Sequence, residues 1–313
     1  MRSLRTHRSD GNRATFSLQE LRSSCARAIR GARSGWLPAP PISLVTNSSS
    51  APPAAPAIQE PQPRHRPAED PAFVQALFCR VAARYDLVNT ILSGGLDWFW
   101  RRRAAAHIRR WAPARLLDLA TGSGVLLATC QRASPETWAV GADFCPPMLA
   151  QARAKRGLPR LVAADGLRLP FADGSFDALT VAFGLRNMAS WSGALREMAR
   201  VLRPGGHLLV LDFSLPSRPW LRALYRVYLH HCLPTIAALV CGERSAYRYL
   251  GDSIESFPRG AAMLALLTEC GFRAPRAEEL SAGIVSLYTA ERTVAAAAIP
   301  SSRANCNLTT TGA

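Results

Sequence analysis

Between residues 115 and 213, short apolar runs alternate with amphipathic segments of helical length, and most of the runs stop at an acid or a small residue. The runs are RLLDLA (115–120), WAVGAD (138–143), RLVAAD (160–165), FDALTVAFG (176–184) and HLLVLDF (207–213). Runs this short and this continuously apolar suit strands buried on both faces, and the helices between them supply the crossovers that parallel pairing needs. Helices are predicted at 124–133, 146–156 and 191–202. The last is ended by RPGG, where Pro lacks an amide hydrogen and Gly favours a left-handed stop. GFRAPRAEEL (271–280) and IVSLYTAER (284–292) complete seven strands, which predicts an α/β fold with a doubly wound sheet over residues 71–292.

Two pieces fall outside the alternation. Residues 71–112 are predicted to form a helical N-terminal cap with Trp98, Phe99, Trp100 and Trp111 as packing anchors, and residues 215–260 form a long insert after the fifth strand. Residues 1–70 contain a Pro/Ala/Ser-rich stretch with too little apolar surface to offset its ordering entropy, so a disordered basic extension is expected there, and a flexible tail at 293–313. Arg and Ser in the first half of the extension resemble an organellar transit peptide, while Asp10 and Glu20 argue against one, and a start codon set too early would look the same.

The net charge of +16 rests almost wholly on arginine, with Lys155 the single lysine, and it favours anionic surfaces. Basic residues are dispersed and match no nucleic-acid-binding motif, so no nucleic acid is expected as partner. The eight cysteines include no C-x-x-C pair and sit mostly in apolar runs, which predicts reduced thiols, a cytoplasmic protein and no metal site. No uninterrupted apolar run approaches the roughly 20 residues that span a bilayer.

The first strand leads into DLATGSGVLLA, in which Asp118 precedes Gly122, Ser123 and Gly124 at the start of a helix. A dinucleotide fingerprint would need a third glycine at 127, where the chain has Leu127, which disfavours a nicotinamide-dependent oxidoreductase. Asp143 ends the second strand, where a carboxylate can accept both ribose hydroxyls, and Asp165 with Gly166 ends the third. Acids on three neighbouring strand ends suit a ligand with a ribose, an adenine and a cationic remainder, and S-adenosyl-L-methionine is such a ligand. In that reading Asp118 shapes the loop and meets the methionine amine, Ser123 and the backbone of Gly122 and Gly124 hold the amino-acid end, Asp143 takes the ribose and Asp165 the adenine amine. Such acids also serve as ordinary helix caps.

From Tyr85 to Arg292 the chain resembles the quinone C-methyltransferases of menaquinone and ubiquinone biosynthesis, which have the class I S-adenosylmethionine-dependent methyltransferase fold. YDLVNTILSGGLDWFW (85–100) is similar to the family's first signature and RVLRPGGHLLVLDFS (200–214) to its second, and FGLRNM (183–188) and AYRYLGDSI (246–254) also match family segments. Asp97, Val125 and Asp212 depart from the family pattern, which more often has a histidine, an acid and a glutamate there.

The resemblance implies methyl transfer to a ring carbon of a prenylated quinol, demethylmenaquinol first and a ubiquinone-precursor benzoquinol as the alternative. That carbon becomes nucleophilic when an adjacent hydroxyl loses its proton, so groups that favour phenolate must face the ring oxygens. Arg186 and Asn187, delivered at the end of the fourth strand, fit that role, Arg186 favouring phenolate and Asn187 orienting the ring. The bland alternative has Arg186 pairing with an acid such as Asp86 and Asn187 capping the helix near Ser190. Tyr85, Asp86 and Asn89 in the cap, and Tyr247 and Tyr249 in the insert, are candidates to close over the head group, and His231 is a weaker candidate base. The apolar stretch 220–242 would lie at a membrane interface, line a tunnel for the prenyl tail, or form a buried helix pair.

Overall fold

The computed structural model describes Asp86, Asn89, Thr90 and residues 93–235 and 244–294. The expectations for 1–70, for the tail beyond 294, for Tyr85 and for the side chain of Tyr247 lie outside the described residues. In chain order the elements are α1 (Leu96–Trp111), β1 (Arg115–Leu119), α2 (Val125–Ala133), β2 (Trp138–Asp143), α3 (Pro146–Arg156), β3 (Leu161–Ala163), β4 (Phe176–Ala182), α4 (Trp191–Val201), β5 (Leu202–Phe213), α5 (Pro219–Val227), α6 (Arg244–Ser256), α7 (Ala261–Glu269), β6 (Phe272–Leu280) and β7 (Val285–Arg292).

The seven strands form one sheet in the order β3-β2-β1-β4-β5-β7-β6. β1 pairs in parallel with β2 and β4, β2 with β3, and β4 with β5. The chain therefore runs outward from β1 to one edge, then crosses to start again at β4, which leaves a crevice at the carboxyl ends between β1 and β4.

The sheet is mixed, whereas alternation alone predicts a parallel one: β7 runs antiparallel to both β5 and β6. The reason is the connection. Only Ser281–Ile284 join β6 to β7, the first three with φ of 49°, 57° and 89°, and so short a turn can only reverse the chain. Two other boundaries shift. β3 covers Leu161–Ala163 alone, so Asp165 lies beyond the strand, and β5 begins at Leu202, running through RPGG with a register slip against Phe176 and Ala178.

Side chains alternate across the sheet. Leu117, Leu119 and Val181 pack on one face beneath α4 and α7, with Leu195, Met198, Met263 and Leu267 as the helical partners. Leu116, Ala178 and Leu209 point the other way, onto Ile108 of α1 and Leu126 and Cys130 of α2. Helices thus cover both faces, as buried parallel strands require.

Of the four aromatic anchors expected in the cap, Trp100 is 2% exposed, sits between Phe183 and Phe213, and donates from its indole nitrogen to Ser281 Oγ at 2.8 Å. Trp111 stacks on His207 with ring centroids 4.5 Å apart. Trp98 and Phe99 correct that expectation. They are 62% and 47% exposed, because consecutive positions on one helix cannot all face the sheet. Trp100→Ala should therefore lower unfolding free energy by about 3–5 kcal/mol, and Trp98→Ala should change it by under about 0.5 kcal/mol, both read by urea denaturation.

Candidate active site

The loop after β1 needs its glycines for two different reasons. Gly122 has φ of 56° and a Cβ there would meet no atom within 4 Å, so it turns the chain beside open space. At Gly124, φ is 79° and a Cβ would run into Leu158 Cδ1, so this glycine lets α2 lie close to the segment after α3. Asp118, buried beneath the loop, accepts the hydroxyls of Thr121 at 2.6 Å and Thr180 at 2.7 Å. Burial pushes its carboxyl up to about 6, opposed by those two hydroxyls and by the nearby Arg101 guanidinium.

Asp143 ties the second strand to that loop: Gly122 N–H donates to its Oδ2 at 2.7 Å and Cys145 N–H to its Oδ1 at 2.8 Å. Lost hydration raises its carboxyl above the usual range in spite of these donors. Asp165 is exposed and accepts from Leu167 N–H at 2.9 Å, closing its own turn, while Gly166 is buried beside Met188. Asp118, Gly122, Ser123, Asp143, Asp165 and Gly166 all line one cavity at the carboxyl edge of the sheet. Three acids around an apolar floor of Leu119, Leu126 and Met148 fit an adenosine with a cationic tail. The side chain missing at Gly122 leaves the space that such a ligand would fill.

The loop's own donors are arranged differently from the sequence reading. Gly122 N–H is spent on Asp143, Gly124 N–H donates to Thr121 O at 2.8 Å, and the Ser123 hydroxyl donates to Asp86. Asp86 in turn pairs with Arg156 at 3.0 Å and with Lys155 at 3.8 Å. Its carboxyl is held below the usual range by Ser123, Arg156 and Lys155, which outweigh burial as the largest single opposing influence. The placement of Asp86 over a head group is thus corrected: it clasps the back of the glycine loop, drawn there by two cations of α3.

A second, larger cavity of about 610 Å³ adjoins the first and is walled mostly by apolar side chains. Arg101, Phe183 and Asn187 line both, and so form their shared wall. What puts Asn187 there is a sharp turn at the tip of β4. Phe183 has φ of 57°, a conformation strained for a bulky residue, and Gly184 follows where a Cβ would collide with Ala120. The 3-10 turn Leu185–Asn187 then presents Arg186 and Asn187.

Arg186 is 7% exposed and pairs with Asp212 of β5 at 2.5 Å, while also donating to Phe183 O at 2.7 Å and lying 5.2 Å from the Phe213 ring centroid. Asn187 donates from Nδ2 to Phe183 O at 3.2 Å and accepts the Tyr249 hydroxyl on Oδ1 at 3.2 Å. Neither residue follows the bland alternative, since Arg186 takes Asp212 in place of Asp86 and α4 is capped by Ser190 Oγ, which accepts Gly193 N–H at 3.0 Å.

Asn89 and Tyr249 line the larger cavity, as does Tyr225, whose phenol burial pushes well above its usual range. His231 is exposed and outside both cavities. Of the described part of the stretch from 220, Leu221, Leu224, Tyr225, Val227 and Tyr228 line the larger cavity. Sequence reasoning missed Arg101, although it lies one turn from Asp97 on the same face of α1.

The switch-point crevice, the acids gathered along its carboxyl edge and the glycine turn are those of a class I S-adenosylmethionine-dependent methyltransferase. Among solved structures, a methyltransferase determined with the Haloferax volcanii Trm112 activator shares the fold, with TM-score 0.50 and 18% identity, covering 69% of this chain and 98% of that one. Residues 66–292 match the ubiE/COQ5 methyltransferase family, and the chain belongs to that family. It is 47% identical over 220 residues to a demethylmenaquinone methyltransferase of Thermus thermophilus, 69% of this chain and 100% of the relative. It is 43% identical over 223 residues to a demethylmenaquinone methyltransferase of Deinococcus radiodurans, 70% of this chain and 92% of the relative.

The Arg186–Asp212 pair leaves an uncompensated buried charge when either partner is lost. Asp212→Leu and Arg186→Met should each destabilise by about 3–5 kcal/mol, and the Arg186→Met/Asp212→Leu double variant by less than their sum, in a double-mutant cycle read by urea unfolding.

Proposed function

We propose that this chain methylates a ring carbon of a prenylated quinol, with demethylmenaquinol as the substrate. The observation that carries this reading is the shared wall. An apolar cavity of about 610 Å³, within the size range of small-molecule sites, abuts the cofactor cavity at Asn187 and Phe183. S-adenosyl-L-methionine supplies an electrophilic methyl group when bound.

The chain's own residues do the rest. Asp143 and Asp165, with Gly166, hold the adenosine, and Asp118 faces the methionine amine from beneath the Gly122–Gly124 turn. Asn187 binds a ring oxygen at the junction, its amide oriented by Phe183 O and the Tyr249 hydroxyl. Arg186 adds positive potential that favours phenolate, moderated by Asp212. The phenolate charge spreads onto the ring carbon, and holding that carbon in line with the methyl group provides much of the rate. Naphthoquinol is favoured over benzoquinol because the relatives at 47% and 43% identity are demethylmenaquinone methyltransferases.

The cavity also suggests how an insoluble substrate arrives. Leu96, Leu224 and Val227 are wall residues that are 43%, 61% and 53% exposed, so the cavity opens between the start of α1 and α5. Trp98 and Trp220 stand exposed on those two helices, and Arg102, Arg218 and Arg226 are also exposed there. No helix of the described residues is long and apolar enough to cross a membrane. Contact with a membrane surface therefore runs through these side chains, apolar groups entering the interface and arginines meeting anionic headgroups.

Purified chain given methyl-labelled cofactor should label a demethylated naphthoquinol. Label in a benzoquinol alone would move the substrate to the ubiquinone-precursor class, and none in either would refute the reading. Asn187→Ala should lower kcat by about 10²-fold while S-adenosylhomocysteine still binds. Co-sedimentation with vesicles containing anionic lipid should be lost in a Trp98→Asp/Trp220→Asp variant, and retention by that variant would remove these helices from the membrane contact.

A further inference from the structure

Among the described residues, the walls of the cofactor cavity carry three acids, Asp118, Asp143 and Asp165, and a single basic residue, Arg101. The cofactor's amino-acid end brings an ammonium and a carboxylate next to a cationic sulfur. Acids answer the positive groups, and the carboxylate needs a donor. The amide hydrogens of Gly122 and Gly124 and the Ser123 hydroxyl are already engaged, with Asp143, Thr121 and Asp86.

Arg101 is in a different position. Its side chain is 11% exposed, and its guanidinium reaches over the Phe183 ring at 5.4 Å from the centroid. Its Nε has no hydrogen-bond partner among the described residues. The nearest acid, Asp97, places Oδ2 3.9 Å from that nitrogen, beyond hydrogen-bond length, and Asp97 is itself held by the Ser93 hydroxyl at 3.3 Å. A buried guanidinium short of acceptors is unfavourable, and a ligand carboxylate is the acceptor that would relieve it.

We propose that Arg101 receives the α-carboxylate of S-adenosylmethionine, so that this subsite is built by the cap helix α1 and not by the glycine loop. The competing assignment, phenolate in the adjoining cavity, is weaker on charge: that cavity already has Arg186, whereas the cofactor cavity has no other basic wall residue among the described residues. Trp100, next along α1, walls the quinol cavity, so the group that anchors the cofactor also sets one face of the acceptor site.

Calorimetric titration of the full chain with S-adenosylhomocysteine and with its decarboxylated counterpart, which lacks only the carboxylate, tests this. Wild type should prefer the intact ligand by about 10- to 100-fold, the strength of a hydrogen-bonded charge pair. In Arg101→Gln the preference should collapse towards unity through weaker binding of the intact ligand, with the decarboxylated ligand binding as before. Arg101→Lys, which keeps the charge without the fork, should retain part of it and serves if the glutamine variant fails to fold. No preference in wild type, an unchanged preference in either variant, or equal weakening of both ligands would overturn the proposal, whichever quinol ring is the acceptor.

Discussion

The ion pair between Arg186 and Asp212 ties the tip of β4 to the tip of β5 beside the larger cavity, and the placement of the turn that follows β4 depends on it. A guanidinium this deeply buried is tolerable only with a carboxylate against it and a carbonyl to receive another N–H, and Asp212 and Phe183 provide these. The same Phe183 carbonyl receives Asn187 Nδ2. One strained residue, left-handed at the end of a buried strand, thus organises both polar side chains of the turn at the larger cavity.

From that anchor the two halves of the site follow opposite chemistries. On the cofactor side, the tips of β1 and β2 are linked by Asp143 and Gly122, and burial holds Asp118 and Asp143 in an environment that favours cationic partners. In the larger cavity the walls are mostly apolar and come largely from α1 and the insert, Trp100, Leu221 and Tyr225 among them. A rigid sheet edge thus forms the acidic cavity, and helices outside the sheet wall the apolar one, the division expected where loops and inserts carry specificity.

Much of this was legible in the chain. Buried strands read as apolar runs because both faces are covered, and the acids at 118, 143 and 165 were visible because they interrupt those runs at their ends. The partnerships were not. Asp86 could be placed in the cap from sequence, but α3's Lys155 and Arg156, some seventy positions on, decide where its carboxylate goes. Trp98 and Trp100 look alike in WFW, and only the side of α1 that faces the sheet separates a core residue from an exposed one.

The sequence by itself determined the strands, their switch-point crevice and the residue types gathered at its edge, since hydrophobic period and glycine placement are local constraints written along the chain. The tertiary structure alone decided the reversal of β7, the pairing of Arg186 with Asp212 and the arrival of Arg101 between two cavities. Those are set by how a short turn redirects a strand, how a helix rolls onto a sheet and which distant positions meet as a result, and no local pattern encodes them.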